Sequence, residues 1–208
     1  MLSALDDKEI ISRCKQGDTD AFGQLVDRYQ QRVYNIAFRM TNNHEDALDL
    51  AQESFLRVYR ALASYKGESA FGTWVFRIAS NVCLDELRKK KRQPLIALST
   101  DALMPGEEGD YPIEIAAGEG HSPEQQLLRG EMRREITQAL GQVSEEHRLV
   151  LVLRDIEGYS YDEIAEMVGV NVGTIKSRLN RARLALREVL TVREPLTSSR
   201  RLTEQKGG

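Results

Sequence analysis

The residues from Val172 to Arg187 combine five basic side chains with no acidic one. These side chains are Lys176, Arg178, Arg181, Arg183 and Arg187. An apolar row recurs on another face at spacings of three or four residues: Ile175, Leu179, Ala182, Leu186 and Leu190. This spacing predicts an amphipathic helix with one basic and one apolar side. Such a helix suits the DNA major groove, where cations hold phosphates and long side chains reach base edges.

Local signals place a second, shorter helix immediately before it. Ser160 and Glu163 have the spacing of a capping box, which satisfies the free backbone N–H groups at a helix start. Gly169 can adopt the left-handed turn that ends this helix, and Asn171 can cap the next one. The sequence therefore predicts helices over 162–168 and 172–192, in the layout of a helix-turn-helix.

A second nucleic-acid signal lies between residues 64 and 74, which hold two glycines, two serines and three aromatic residues. A helix with Arg77, Asn81 and the basic run 88–92 follows. Rings stack on unpaired bases, amides read base edges and cations hold phosphates, so this loop is suited to a flipped base or a single strand. For Trp74 and Phe76 we expect core packing instead.

Acidic and amide side chains gather in the first half of a predicted helix over 45–62: Glu45, Asp46, Asp49, Gln52 and Glu53. Acids near a helix N-terminus stabilise the helix macrodipole, which is one explanation. The other is a polar docking face for a protein partner, extended by Arg57 and Arg60. Composition alone does not separate the two.

The whole pattern is helical, because strand-like alternation is absent, and the predicted fold class is all-α. The other predicted helices cover about 6–16, 20–40, 73–92, 123–141 and 145–156. In the second of these, the spacing places one row of side chains inward: Phe22, Val26, Tyr29, Val33, Ile36 and Met40. In the helix over 45–62 the predicted inward row is Ala47, Ala51, Phe55, Val58 and Leu62.

Charge is distributed unevenly along the 208 residues. Residues 93–128 hold seven acids and no lysine or arginine, so they account for more than the whole net charge of −3. With three prolines and four glycines, residues 94–122 are predicted to be a flexible acidic linker. The chain is thus expected to form two small helical domains joined by that linker, with a disordered tail after Glu194.

The remaining composition excludes several classes of protein. No apolar run reaches membrane-spanning length, and the acidic N-terminus does not resemble a signal peptide, so a cytoplasmic protein is expected. Cys14 and Cys83 lie in helical patterns and are expected to be apolar residues rather than a disulfide. The chain lacks the common nucleotide-binding, serine-hydrolase and zinc-protease motifs, and its three histidines are scattered. We therefore expect no catalysis, metal or cofactor.

Three motifs together resemble the bacterial RNA polymerase sigma factors, in particular the extracytoplasmic-function group. They are Asp49–Glu53 with Phe55, Phe71–Ala79 with Asn81, and Gly173–Arg178. The resemblance implies sigma region 2 at residues 1–93, the linker at 94–122, sigma region 4 at 123–193 and a tail at 194–208.

The resemblance also implies roles for individual residues. Contacts to the −35 promoter element fall to Gly173, Thr174, Lys176, Ser177, Asn180 and Arg181. Contacts to the −10 element fall to Tyr65, Lys66, Ser69, Phe71, Thr73, Arg77, Asn81 and Arg88. Contacts to core polymerase fall to Asp49, Gln52, Glu53, Arg57 and Arg60.

The implied function is to bind core RNA polymerase through its β′ clamp and β flap, recognise promoter DNA and help open the −10 region. An anti-sigma factor is a further implied partner; a small-molecule substrate and membrane insertion are not expected. The alternative hypothesis is a stand-alone dimeric helix-turn-helix repressor or activator, which leaves the aromatic loop and the acidic helix face unexplained.

Overall fold

The computed structural model describes residues 6–92, 132 and 135–193. The predicted linker at 94–122 and tail at 194–208 lie outside the described residues. Within the described ranges, all regular secondary structure is helical, which agrees with the predicted all-α class. None of the helices in these ranges is long and apolar enough to cross a membrane.

The first domain contains four α-helices. They are α1 (Asp7–Lys15), α2 (Thr19–Thr41), α3 (His44–Ala61) and α4 (Phe71–Arg92), with a 3₁₀ turn at Leu62–Ser64 after α3. Most bounds agree with the predicted ones within one residue. Helix α4 begins two residues earlier than predicted, because the Trp74 N–H already donates to the Ala70 carbonyl at 3.1 Å.

Short polar side chains set the sharp turn between α2 and α3. Asn42 ends α2 in the left-handed conformation, with φ of 53°, which asparagine tolerates better than most residues. Asn43 then caps α3, since its side-chain oxygen accepts from the Asp46 N–H at 3.0 Å. Two adjacent asparagines thereby end one helix and begin the next, and α2 and α3 pack side by side.

The core of this domain uses a face slightly rotated from the predicted one. Val33, Ile36 and Met40 of α2 are buried as expected, but Ala21 and Leu25 are buried in place of Phe22 and Val26. In α3, Leu50 and Ser54 are buried where Ala51 and Phe55 were expected. Val26, Ala51 and Phe55 are half-buried and line a groove between α2 and α3. Phe22 is also half-buried, and its ring packs edge-on against Tyr59 at 4.9 Å.

The second domain carries the predicted helix-turn-helix. Residues 135–142 are helical (α5) and precede α6 (Glu145–Leu151), α7 (Tyr161–Val168) and α8 (Val172–Arg193). The helix predicted over 145–156 is confirmed, but its second half, Val152–Ile156, is a π-helical turn rather than regular α-helix. There the Glu157 N–H donates to the Val152 carbonyl at 2.9 Å. Wide turns of this kind re-aim the side chains that follow.

The capping predictions for α7 and α8 are confirmed. The Glu163 N–H donates to Ser160 Oγ at 3.2 Å, and the Ser160 N–H donates back to Glu163 Oε2 at 2.8 Å. Gly169 ends α7 with φ of 74°. The Thr174 N–H donates to Asn171 Oδ1 at 2.8 Å, which caps α8.

The two domains pack against each other, a contact that the sequence does not predict. Their buried apolar side chains form one continuous cluster. The rings of Phe76 in α4 and Tyr159 before α7 lie 5.4 Å apart. The buried guanidinium of Arg148 in α6 donates to the Met40 carbonyl at the end of α2 and to the Gly141 carbonyl of its own domain. Near it, Arg39 and Glu157 form an ion pair at 3.8 Å across the same boundary.

Both cysteines are free thiols. Cys83 is fully buried in α4 and Cys14 is partly buried. Burial raises the pKa of the Cys83 thiol to about 12, so it is protonated at neutral pH. The expectation of apolar residues rather than a disulfide is confirmed.

Removing the cap of α7 should destabilise the helix-turn-helix. Ser160→Ala is expected to lower the free energy of unfolding by about 1 kcal/mol, because the Glu163 N–H loses its acceptor. Urea unfolding monitored by circular dichroism measures the difference. Ser160→Thr keeps the acceptor and serves as the control; equal losses in the two variants would contradict this role.

The same capping box should make stability depend on pH. Hydrogen bonds from the Ser160 hydroxyl and backbone N–H lower the pKa of the Glu163 carboxyl. Its contribution is therefore complete above the ordinary glutamate pKa of about 4.3 and is lost as the pH falls through the lower folded value. The difference in melting temperature between the wild type and Glu163→Ala should narrow on acidification. Glu166→Ala, an exposed change in the same helix, should show no such narrowing.

Candidate nucleic-acid interface

The exposed side of α8 is fixed by the apolar side that it buries. Ile175, Leu179 and Ala182 are completely or almost completely buried. Four predicted contact residues therefore face outward: Lys176, Ser177, Asn180 and Arg181. Together they make a polar, basic strip next to the turn of the helix-turn-helix.

Two of the five basic residues of α8 are engaged within their own domain. Arg183 donates two hydrogen bonds to the Asp155 carboxylate, at 2.5 and 3.0 Å. Arg178 lies 3.4 Å from Glu146. The sequence does not reveal these two pairs, because Asp155 and Glu146 are far from α8 along the chain.

The beginning of α8 is organised by Asn171. Its side-chain oxygen also accepts a hydrogen bond from the Thr174 hydroxyl at 2.9 Å. A Cβ atom at Gly173 would stand only 3.3 Å from that oxygen. The lack of a side chain at this exposed position thus leaves room for the Asn171 cap. It would also let DNA approach the backbone closely.

Sequence analysis did not single out Tyr161 and Arg154, which border this strip. The Arg154 guanidinium lies 4.7 Å from the centre of the Tyr161 ring, and Lys176 Nζ lies 5.9 Å from it. Arg154 also donates to the Tyr159 carbonyl at 2.7 Å. The π-helical turn places Arg154 there, and the sequence pattern of a regular helix gives no sign of it.

The aromatic loop between α3 and α4 is a compact, braced structure. The Tyr65 hydroxyl donates to the Ser69 carbonyl at 2.6 Å. The Tyr65 ring packs against Phe71 and Trp74, with ring centres 5.3 and 5.1 Å away. Lys15 Nζ, which the sequence does not single out, donates to the Tyr65 carbonyl at 2.6 Å and ties the loop to α1.

The predicted contacts of this loop and of α4 divide into two groups. Phe71 and Thr73 are buried, so their side chains support the loop from below rather than face solvent. Lys66 is exposed, and Tyr65 and Ser69 are partly exposed. Arg77, Asn81 and Arg88 form an exposed row along α4. Trp74 is partly buried and Phe76 is fully buried, as expected for core packing.

The acidic face of α3 is exposed over most of its length. Asp49, Gln52, Arg57 and Arg60 are exposed and Glu53 is partly buried. Arg57 donates to Glu53 at 2.7 Å and lies 3.8 Å from Asp85 of α4. The five predicted docking residues therefore share one helix, and two of them form a local ion pair.

Apolar side chains next to this face were missed by the sequence analysis. Leu48, Leu56 and Tyr59 are about half exposed, at 50%, 47% and 50%. Leu48 and Leu56 line a groove of about 560 Å³ between α2 and α3, together with Phe55 and Gln52. The sequence signal for this groove was a second row of apolar residues on α3, offset from the row that packs in the core. Exposed apolar area with a polar rim is typical of a protein-binding site.

Within the described part of the chain, no three His, Cys, Asp or Glu side chains lie close enough to hold a metal ion.

Two protein-family descriptions match the chain. Residues 25–93 match sigma-70 region 2, and residues 133–186 match sigma-70 region 4. The first match covers most of α2 to α4, and the second covers the helix-turn-helix.

Relatives match over nearly the whole chain. The RNA polymerase sigma-H factor of Pseudomonas aeruginosa is 36% identical over 190 residues, which are 91% of this chain and 96% of the relative. The ECF RNA polymerase sigma factor SigW of Bacillus subtilis is 37% identical over 183 residues, which are 88% of this chain and 96% of the relative.

Two solved structures resemble the fold. The sigma factor RpoE of Bartonella quintana, in complex with the anti-sigma factor NepR, has a TM-score of 0.58 at 25% identity and covers 83% of this chain and 98% of its own. CnrH, in complex with the cytosolic domain of CnrY, has a TM-score of 0.63 at 24% identity and covers 90% of this chain and 99% of its own.

Proposed function

The chain belongs to the sigma-70 family of bacterial RNA polymerase sigma factors, in the extracytoplasmic-function group, and we propose which of its residues perform each part of promoter recognition. It is a promoter-recognition subunit that binds core RNA polymerase and promoter DNA. The alternative of a stand-alone dimeric repressor or activator has no support, because the relatives that match over most of the chain are sigma factors.

Residues 1–93 are proposed as region 2 and residues 123–193 as region 4, joined by the linker at 94–122 and followed by the tail at 194–208. The family matches at 25–93 and 133–186 support the two outer assignments. The described helices support them as well, since α1 to α4 precede residue 93 and α5 to α8 follow residue 134.

Helix α8 is proposed to read the −35 element in the major groove. The observation that carries this assignment is the exposed strip of Lys176, Ser177, Asn180 and Arg181 opposite a buried apolar side. Gly173 and Thr174 lie at the start of α8, where backbone N–H groups and the helix dipole favour phosphate. Helix α7 ends at Gly169 immediately before α8. In a helix-turn-helix, this arrangement places the second helix in the major groove.

The loop at 65–73 and the outer row of α4 are proposed to hold the −10 element. Tyr65, Lys66 and Ser69 supply an aromatic ring, a cation and polar groups around a braced loop, and Arg77, Asn81 and Arg88 extend the polar surface along α4. Stacking and phosphate contacts of this kind suit a single strand. Phe71 and Thr73 are buried, so we propose that they shape the loop and support Tyr65.

Helix α3 is proposed to dock on core polymerase, at the β′ clamp. Its exposed polar residues Asp49, Gln52, Glu53, Arg57 and Arg60 lie beside the apolar Leu48 and Leu56, and the groove between α2 and α3 offers an apolar centre within a polar rim. This composition matches the usual anatomy of a protein interface. Region 4 is proposed to contact the β flap.

The protein is proposed to act in the cytoplasm by binding alone, without catalysis or a cofactor, since the polymerase supplies the chemistry. An anti-sigma factor is proposed as a regulatory partner, because the similar RpoE is described in complex with one.

Arg181→Ala should weaken promoter use without weakening core binding. We expect a loss of about 1–3 kcal/mol in −35 recognition, the range for one side chain that contacts a base edge. Transcription by purified core polymerase on a promoter library measures it, with core affinity measured separately. Arg183→Ala is the matched control, because Arg183 is paired with Asp155. Equal promoter losses in the two variants would contradict the assignment.

The double change Leu48→Ser with Asp49→Ala should have the opposite profile. Both residues are exposed on α3, so the fold should persist while affinity for core polymerase falls about tenfold, the effect of removing roughly 1.4 kcal/mol of interface energy. Asp20→Ala, an exposed change in α2, is the control. Unchanged core affinity in the double variant would remove α3 from the docking site.

A further inference from the structure

The basic end of α4 is occupied by acids from the second domain. Arg88 Nη2 lies 3.2 Å from Glu146 Oε1, and Lys91 Nζ lies 3.6 Å from Glu145 Oε1. Both acids lie in the first turn of α6, more than fifty residues away in sequence. These carboxylates pair with the same cations that a nucleic-acid phosphate would bind. Arg88 and Lys91 therefore cannot engage the carboxylates and a phosphate at full strength at the same time.

The contact between the domains is more than a pair of surface charges. Arg148 is buried and donates to carbonyls of both domains, at Met40 and at Gly141. Phe76 and Tyr159 close the apolar part of the boundary. A buried guanidinium requires such partners, so the position of α6 relative to α2 is closely fixed. This fixed position brings Glu145 and Glu146 to the end of α4.

The second domain also lies near the aromatic loop. Burial is the largest cause that raises the pKa of the Tyr65 hydroxyl, and the carboxylates of Asp7 and Glu166 add to it. Glu166 belongs to α7, which packs on α4. A negatively charged strand that approaches this surface therefore meets acids of the second domain.

We propose that this arrangement is a closed state in which region 4 competes with the −10 strand. Glu145 and Glu146 stand in for phosphates at Lys91 and Arg88, and promoter engagement requires that these ion pairs break. Interfaces between domains of one chain resemble transient protein interfaces, which makes such release physically accessible. The inference rests on the proposed role of Arg88 in binding the −10 strand.

Neutralising the two acids should release Lys91 and Arg88 of α4 for nucleic acid, and it also removes the acidic partner of Arg178 in α8. The full-length variant E145Q/E146Q is expected to bind a labelled, random-sequence single-stranded oligonucleotide about threefold more tightly than the wild type, since exposed ion pairs are individually weak. Its affinity should also depend more steeply on salt. The slope of log affinity against log salt should steepen by about 1.4 to 2.1, because each of the two or three additional phosphate contacts on a single strand adds about 0.7.

A control with the same change in net charge separates this effect from general electrostatics. Asp162→Asn with Glu188→Gln neutralises two exposed acids of the same domain, and its salt slope should equal that of the wild type. Adding Arg88→Ala to E145Q/E146Q should remove about a third to a half of the gain in slope. Arg88→Ala is also made in the wild-type background, and fluorescence anisotropy across a salt series measures the wild type and the four variants.

The outcomes distinguish the two levels of the proposal. If E145Q/E146Q keeps the wild-type slope while Arg88→Ala still weakens binding, the closed state is overturned and the −10 assignment stands. If Arg88→Ala changes binding in neither background, the −10 assignment of Arg88 fails, and this inference fails with it.

Discussion

The burial of α4 on two sides is the constraint on which the rest of the structure depends. One side packs with α2 and α3, where Tyr29 of α2 meets the rings of Phe71 and Phe76, and Phe76 also meets Tyr159 of the second domain. Close-packed interiors allow little displacement, so α4 holds one orientation. Its remaining side, with Arg77 and Asn81, is thereby directed to solvent, and the aromatic loop that precedes it is held at the same surface. The proposed −10 face and the contact between domains are both consequences of one buried helix.

Charge partners separate the cations proposed to contact DNA from those that support the fold. Arg148 is buried and satisfied by carbonyl oxygens, which a desolvated guanidinium needs. Arg183 is held by Asp155, so it orients α8 on the π-helical turn. Arg181 is exposed on the strip that faces away from the core. The three arginines are chemically identical, and the acids and carbonyls around each one separate structural support from recognition.

In the proposed closed state, the same chemistry connects recognition with regulation. Arg88 is suited to phosphate because it is cationic and exposed, and for that reason Glu146 can also engage it. A promoter strand would replace an internal carboxylate rather than bind an empty surface. The docking face on α3 lies apart from these pairs, with its apolar groove facing solvent. Polymerase binding through the proposed docking face on α3 would therefore not require that the contacts between α4 and α6 break first.

The sequence by itself determined the features that depend on neighbours along the chain. The capping box at Ser160, the left-handed Gly169, the helix class and the family motifs all follow from local spacing, and the resemblance named the candidate residues. Tertiary structure decided what depends on contacts between distant segments. It rotated the buried faces of α2 and α3 so that Phe55 lines a groove, buried Phe71 and Thr73, and packed the two domains together. The physical reason is that helical periodicity defines a face but not its neighbour, and burial and ion pairing depend on which segments meet in three dimensions.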